Sequence, residues 1–261
     1  MHAYQAIYAP RLSVEEAVAH RSKADAILKS FNTWAYKREQ PSDLSQLRDT
    51  ICLSLARLQP IEFVLYWGKG PRRYPADPEG QCFTYLAGMR DRIAKVSTCP
   101  VRITLLATDT HARLNGYPES EIDTYYAAIE TEARAHGFDL NRLSSVVTDH
   151  PPSAVAENAD EGLIEALAMS AAKWYRGNLS PIAAAQTYFE MNMAEKRAVS
   201  TSYASSIFVT FNSSKLRQMF PAELPIYYMY SIRKGIAVKP WFMPASDERS
   251  RGADVSIHAG L

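Results

Sequence analysis

The apolar positions of this chain change period several times, and the changes divide it into elements. Val14, Val18, Ile27, Leu28 and Phe31 recur at helical spacing, and Ser13 with Glu16 forms a capping box. A helix from residue 13 to about residue 34 is expected. Pro41-Ser42-Asp43 opens a second helix, with Leu44, Leu47, Ile51, Leu55 and Leu58 on one face. Beyond Pro60 the period shortens: residues 61–67 are rich in β-branched and aromatic side chains between Pro and Gly, as a buried strand requires. Residues 79–96 return to helical spacing through Phe83, Leu86, Met89 and Ile93, and residues 101–107 read as a second strand. Ile122, Tyr125, Tyr126 and Ile129 mark a helix from Pro118 to a Gly137 stop, and residues 143–148 read as a third, weaker strand.

A β-α-β-α-β order implies parallel strands joined by helical crossovers. The expected fold is therefore α/β: a Rossmann-like, mainly parallel sheet flanked by helices. Residues 1–58 read as a helical N-terminal extension, its first twelve residues a loose arm, and 59–150 as the Rossmann-like core. Residues 151–243 complete the core. They comprise alanine-rich helices at 160–176 and 181–204, a strand at 207–211, a small helix at 214–220, and a β-hairpin made by 226–232 and 236–238. The C-terminal strands can join the same sheet. The polar residues 244–261 read as a flexible tail.

Composition narrows the partners. The 261 residues are 47% hydrophobic and 22% charged, which excludes a disordered or fibrous chain. With 29 Lys+Arg against 28 Asp+Glu, the net charge of +1 gives no electrostatic reason to bind nucleic acid or an acidic membrane. No stretch approaches the roughly 18 consecutive apolar residues of a membrane span, and the N-terminus lacks a secretory apolar region. Cys52, Cys82 and Cys99 cannot all pair and show no zinc spacing, so reduced thiols in a cytoplasm are expected. Small molecules are the expected partners, with a homodimer as the assembly to test.

In an open α/β sheet, ligands bind where the carboxyl ends of the strands meet loops and helix N-termini. Two loops fall there. The first runs from Trp67 through Lys69 to Arg73. Its cations Lys69, Arg72 and Arg73, with glycines beside the lysine, form a phosphate or carboxylate clamp, and a desolvated Lys69 is a candidate imine-forming amine. The competing reading is a solvated surface loop. The spacing is neither a Walker A loop nor GxGxxG. The second loop holds Thr108, Asp109, Thr110 and His111. Asp109 is placed either for catalysis or to cap turn N–H groups. The remaining histidines stand in no ligand spacing, so no metal is expected. A third candidate is the stripe Tyr188, Asn192 and Glu195 at i, i+4 and i+7 of one helix; the alternative is a solvated face shared with Lys196 and Arg197.

Taken together these residues resemble the isocyanide synthase family of the pyoverdine/dityrosine-biosynthesis superfamily. That family has Phe-Pro-x-Lys-Ser-Pro-Asn after its first strand; here Tyr66-Trp67-Gly68-Lys69-Gly70-Pro71-Arg72 stands in its place. Ala76-Asp77-Pro78-Glu79 matches its helix-opening Pro-Asp…Glu element, and Thr108-Asp109-Thr110 its Ser-Asp-Gly. The stretch from Asn115 to Tyr125, the helix bearing Tyr188, Asn192 and Glu195, and Pro240-Trp241 follow in the family's order, over about residues 45–243. The family's two histidines are replaced by Asn212 and Phe242, and its loop Asn by Arg72, which marks a divergent member.

The resemblance implies condensation of an amino acid's amine, typically of Tyr or Trp, with a pentulose phosphate in specialised metabolism, without a cofactor. It further implies a sugar-phosphate clamp of Lys69, Arg72 and Arg73, acid/base roles for Asp109 and Glu195 beside a catalytic Lys69, and an aromatic pocket of Tyr66, Trp67 and Tyr188. His111 and Asn192 complete the expected substrate-binding set. Two alternatives stand beside it: a Rossmann-like transferase using another phosphorylated or nucleotide ligand, and a non-catalytic ligand-binding relative.

Overall fold

The computed structural model describes residues 13–41, 43–68, 77–149, 161–175, 177–233 and 236–238. Two helices lead, α1 (Val14–Phe31) and α2 (Leu44–Ala56). They are followed by β1 (Ile61–Trp67), α3 (Asp77–Ala94), β2 (Val101–Ala107), α4 (Asp109–Leu114), α5 (Glu119–Ala135) and β3 (Asp139–Arg142). Three helices come next, α6 (Leu143–Asp149), α7 (Glu161–Trp174) and α8 (Pro181–Ser202), before β4 (Ile207–Thr210). A 3-10 turn (Ser214–Met219), β5 (Ile226–Tyr228) and a two-stranded hairpin, β6 (Ile232–Arg233) with β7 (Ile236–Ala237), close the described chain.

The main sheet has five parallel strands in the order β3-β2-β1-β4-β5. This is the α/β architecture that the strand and helix alternation implies. From β1 the chain builds outward to β3, then returns to the opposite side of β1 to lay down β4 and β5. Chain direction across the sheet therefore reverses between β1 and β4, where the flanking helices diverge and leave a crevice at the strands' carboxyl ends.

Period-2 alternation along the strands divides the core into two layers. Phe63, Leu65 and Trp67 of β1 face one side with Ile103, Leu105, Val209 and Tyr227, packed under α1, α2, α3 and α5. Val64, Leu106, Phe208, Ile226 and Tyr228 face the other side, under α6, α7 and α8. The N-terminal helices share the sheet's own core: Phe31 meets Phe63 and Tyr227 edge-on at 5.5 and 5.1 Å. The Ser13–Glu16 capping box forms as expected, and Asp43 caps α2 by accepting from the Gln46 N–H at 2.8 Å.

Several local expectations change. Val14 and Val18 lie on solvent, because only the second half of α1 (Ala24, Ile27, Leu28 and Phe31) reaches the core. Leu58 lies beyond the end of α2, exposed and with positive φ. Residues 143–149 form α6, not a strand: the third strand is the preceding segment 139–142, and Leu143 and Val146 bury at helical spacing. Short apolar runs fit either element, and packing decides. Residues 226–228 are a parallel strand beside β4, not a hairpin arm; the hairpin is confined to the two residue pairs of β6 and β7. The exposed edge of β5 is covered by the segment after α1, where Arg38 N–H donates to Tyr228 O and Tyr230 N–H to Tyr36 O. The proposed tail and residues 1–12 lie outside the described residues. Among those described, no helix is long and apolar enough to cross a membrane.

Candidate active site

Where β1 ends, Gly68 adopts a left-handed φ of 79° and turns the chain off the sheet. Its carbonyl accepts a hydrogen bond from the Thr108 hydroxyl, and the Thr108 N–H donates to Trp67 O at 3.2 Å, which ties the ends of β1 and β2 together. A Cβ at Gly68 would only touch Tyr126 Oη at 3.5 Å, so the obstacle to substitution is the backbone conformation. Gly68→Ala is expected to cost about 1–2 kcal/mol, read as a lower urea midpoint; an unchanged midpoint would show that the turn relaxes freely.

Thr108 leads into α4, a helix where the sequence suggests a loop. Helical spacing sends its polar residues in different directions. Asp109 and Arg113, four apart, pair at 2.8 Å. The Asp109 carboxylate also accepts from the Ser144 N–H at 3.0 Å and from the Ser144 hydroxyl, on α6. Burial pushes the Asp109 carboxyl up, but the hydrogen bonds from Ser144 and Arg113 outweigh it and hold the group below its usual range. Arg113 in turn grips Glu119 at the start of α5. Asp109 therefore fastens α4 to α6, with both oxygens engaged, and it does not line the cavity described next.

Thr110 and His111 point toward α8. The Glu195 carboxylate, 0% exposed, accepts from the Thr110 hydroxyl on one oxygen and lies 2.7 Å from His111 Nε2 through the other. A carboxylate can only accept, so Nε2 is the donor of this pair, and the tautomer that has its one proton on Nε2 carries its lone pair on Nδ1. The imidazole edge packs on the Tyr188 ring at a centroid distance of 5.1 Å, and Tyr66 stands 6.4 Å away.

His111 opens on a cavity of about 690 Å³, its mouth included, at the crevice between β1 and β4. Tyr66 and Gly68 contribute from β1, Tyr188 and Asn192 from α8, and Phe208 through Asn212 from β4 and its end. Leu216, Met219 and Phe220 close the far side. Burial, then the Glu195 charge, then Tyr188 raise the Tyr66 phenol far above its ordinary range; burial and Glu195 do the same to Tyr188. Both phenols are thus neutral donors at physiological pH.

The structure brings together five of the residues singled out by sequence: Tyr66, His111, Tyr188, Asn192 and, behind His111, Glu195. Glu195 and Lys196 are buried, so their stripe is not a solvated face. Trp67 is buried on the opposite face of the sheet, stacked on Phe83 at 4.7 Å, and cannot line this pocket. Lys69, Arg72 and Arg73 lie outside the described residues; Gly68, immediately before Lys69, lines the cavity. Thr110 and the wall of Phe208, Phe220 and Met219 are additions of the fold. Among the described residues no cluster of three or more His, Cys, Asp or Glu could hold a metal ion.

No protein-family model matches the sequence, and no curated protein sequence matches it significantly. Solved structures align with it. A tryptophanyl-tRNA synthetase homolog from Entamoeba histolytica aligns over 87% of this chain and 64% of its own, with a TM-score of 0.42 and 11% identity. The PvcA protein from Pseudomonas aeruginosa aligns over 82% of this chain and 85% of its own, with a TM-score of 0.60 and 15% identity. At that identity the likeness to PvcA establishes a shared α/β fold across most of both chains.

Proposed function

We propose that this chain is an isocyanide-synthase-like enzyme that condenses the amine of an amino acid, preferably aromatic, with a pentulose phosphate. The observation that carries the reading is the buried Glu195–His111 pair, whose imidazole opens into an aromatic-walled cavity directly beyond the start of the Lys69 loop. The fold shared with PvcA and the ordered motifs around Lys69, Asp109 and Glu195 support it.

In this mechanism His111 Nδ1 accepts a proton from the substrate ammonium group. The N–H bond breaks, its electron pair stays on nitrogen, and the imidazolium formed is stabilised by Glu195, which Thr110 holds in place. The freed amine adds to the ketone carbon of the sugar phosphate, and loss of water gives the imine from which fragmentation proceeds. The phosphate falls to Lys69, Arg72 and Arg73, since the described lining contains no lysine or arginine. Asp109 takes a positioning role: it locks α4, and thereby His111, against α6.

Incubation with ribulose 5-phosphate and each aromatic amino acid, followed by thermal shift and mass spectrometry, tests the reading. A product lighter than the simple imine, trapped as an isocyanide, is the expected result. Absence of both stabilisation and product with every amino acid would overturn it.

A further inference from the structure

The far wall of the cavity is held in place from outside. Leu216 and Met219 belong to the 3-10 turn Ser214–Met219, and Phe220 follows it. Short 3-10 segments have poor hydrogen-bond geometry, and this one is irregular, with Leu216 at φ −98° and ψ 20°. Ser213, at its N-cap, makes no side-chain hydrogen bond to it. The turn's first polar groups are instead met from 175 positions away: the Glu39 carboxylate accepts from the Ser214 N–H at 2.7 Å and from the Ser214 hydroxyl at 2.9 Å. Toward its other end Lys196 Nζ, on α8, donates to Gln218 O at 3.2 Å.

Glu39 lies on the strap between α1 and α2 that covers the edge of β5. The strap starts from a fixed point, where the Tyr85 hydroxyl on α3 donates to Ala35 O at 3.1 Å. Lys37 then bridges Met229, just past the end of β5. Arg38 Nη1 reaches on to Phe211 O, just past the end of β4, at 3.1 Å. Arg38 and Glu39, adjacent in sequence, therefore grip the chain on both sides of Asn212, which lines the cavity. Both contacts are hydrogen bonds assisted by charge. The Glu39–Ser214 pair is exposed, so it can hold the turn without being part of either core layer.

Taking the cavity as the substrate site of the proposed condensation, we propose that Glu39 is a positioning residue: from the strap it latches the turn Ser214–Met219 and so fixes the wall that Leu216, Met219 and Phe220 present to a ligand. The N-terminal extension is then part of the binding site as well as a cover for the sheet. The consequence for kinetics is specific. The wall offers only apolar side chains, whereas His111 and Glu195 stand on α4 and α8, to which Arg38 and Glu39 make no hydrogen bond. Loosening the wall removes contacts shared by ground state and transition state, which raises KM and leaves kcat.

Three variants test the latch. Glu39→Ala removes both acceptors, and Ser214→Ala leaves only the bond to the N–H. Glu39→Gln keeps an oxygen for the Ser214 N–H and turns its NH₂ to the hydroxyl, which accepts as well as donates, so it should restore the latch. In hydrogen exchange of the unliganded protein, the amides of residues 214–220 should exchange about tenfold faster in Glu39→Ala, with a smaller effect in Ser214→Ala. Glu39→Gln should stay within about threefold of the parent, and the amides of α8 should not change. With ribulose 5-phosphate as co-substrate, KM for the aromatic amino acid should rise about tenfold in Glu39→Ala, with kcat within about threefold of the parent.

Unchanged exchange at residues 214–220 in Glu39→Ala would overturn the inference, as would faster exchange spread equally over α8 and the sheet. So would faster local exchange combined with an unchanged KM, or a fall in kcat at constant KM. The condensation is judged separately. Absence of product from the parent protein sinks the isocyanide reading, and the exchange of residues 214–220, measured without substrate, still decides the latch.

Discussion

Glu195→Gln is expected to lower kcat/KM by about 10²–10⁴-fold while the protein stays folded. The reason is the tautomer of His111. The carboxylate accepts from both Thr110 and His111 Nε2, and a carboxamide has one acceptor and one donor end. With its oxygen on the Thr110 hydroxyl, the amide turns its NH₂ toward Nε2. The ring then meets it only by moving its proton to Nδ1, and the base facing the cavity is lost. Glu195→Ala removes the acceptor outright, leaving the buried His111 and the half-buried Thr110 unmet, and is expected to cost on the order of 3 kcal/mol in stability as well. Steady-state kinetics with urea denaturation separates the two variants. Turnover by Glu195→Gln within about threefold of the parent would mean that His111 is not the base.

Asp109→Ala should be the more damaging change for the fold. Its carboxylate is 1% exposed and joins α4 to α6 through Ser144 and to α5 through Arg113 and Glu119, so truncation strands the half-buried Ser144 N–H and hydroxyl on α6 and loosens Arg113. A loss of about 3 kcal/mol at pH 7 is expected, with activity falling alongside because His111 rides on the same short helix. The pH dependence carries a definite sign. The Asp109 carboxyl is held below its ordinary range, so the stability its charge confers is present in full above about pH 4–5. That stability is lost as the pH falls through the folded-state value. The gap between the parent and Asp109→Asn should therefore be wide at pH 7 and narrow toward pH 3 in urea midpoints. A gap that stays constant would show that the negative charge contributes nothing.

Much of this arrangement is legible in the sequence, and what is hidden has physical causes. Alternating apolar runs and helix caps point to the parallel sheet because period and capping are local. The stripe of Tyr188, Asn192 and Glu195 is visible because it follows from helix geometry alone. What spacing cannot reveal is that Glu195 closes on His111, 84 positions earlier. The partner of Asp109 is obscured by a different route: residues 143–148 read as a strand, and only as a helix do they place Ser144 against α4. Trp67 could have been excluded without any structure. Consecutive residues of a strand face opposite sides, so Tyr66 and Trp67 cannot share a pocket. The apolar wall from Phe208 to Phe220 comes from segments whose patterns signal only burial.

The return of the chain to the far side of β1 also sets an order of events during synthesis. Before residues 207–210 emerge from the ribosome, β1 has β2 on one side and nothing on the other. Its backbone groups stay unpaired along a segment in which Phe63, Val64 and Leu65 are bound for the interior. Such an edge is an invitation to pair with a neighbouring nascent chain, and closing it demands a contact across more than half the length of the protein. The crevice that makes a binding cavity in the finished molecule is thus also a seam that closes late, and the interval before closure is when the chain most depends on protection from aggregation.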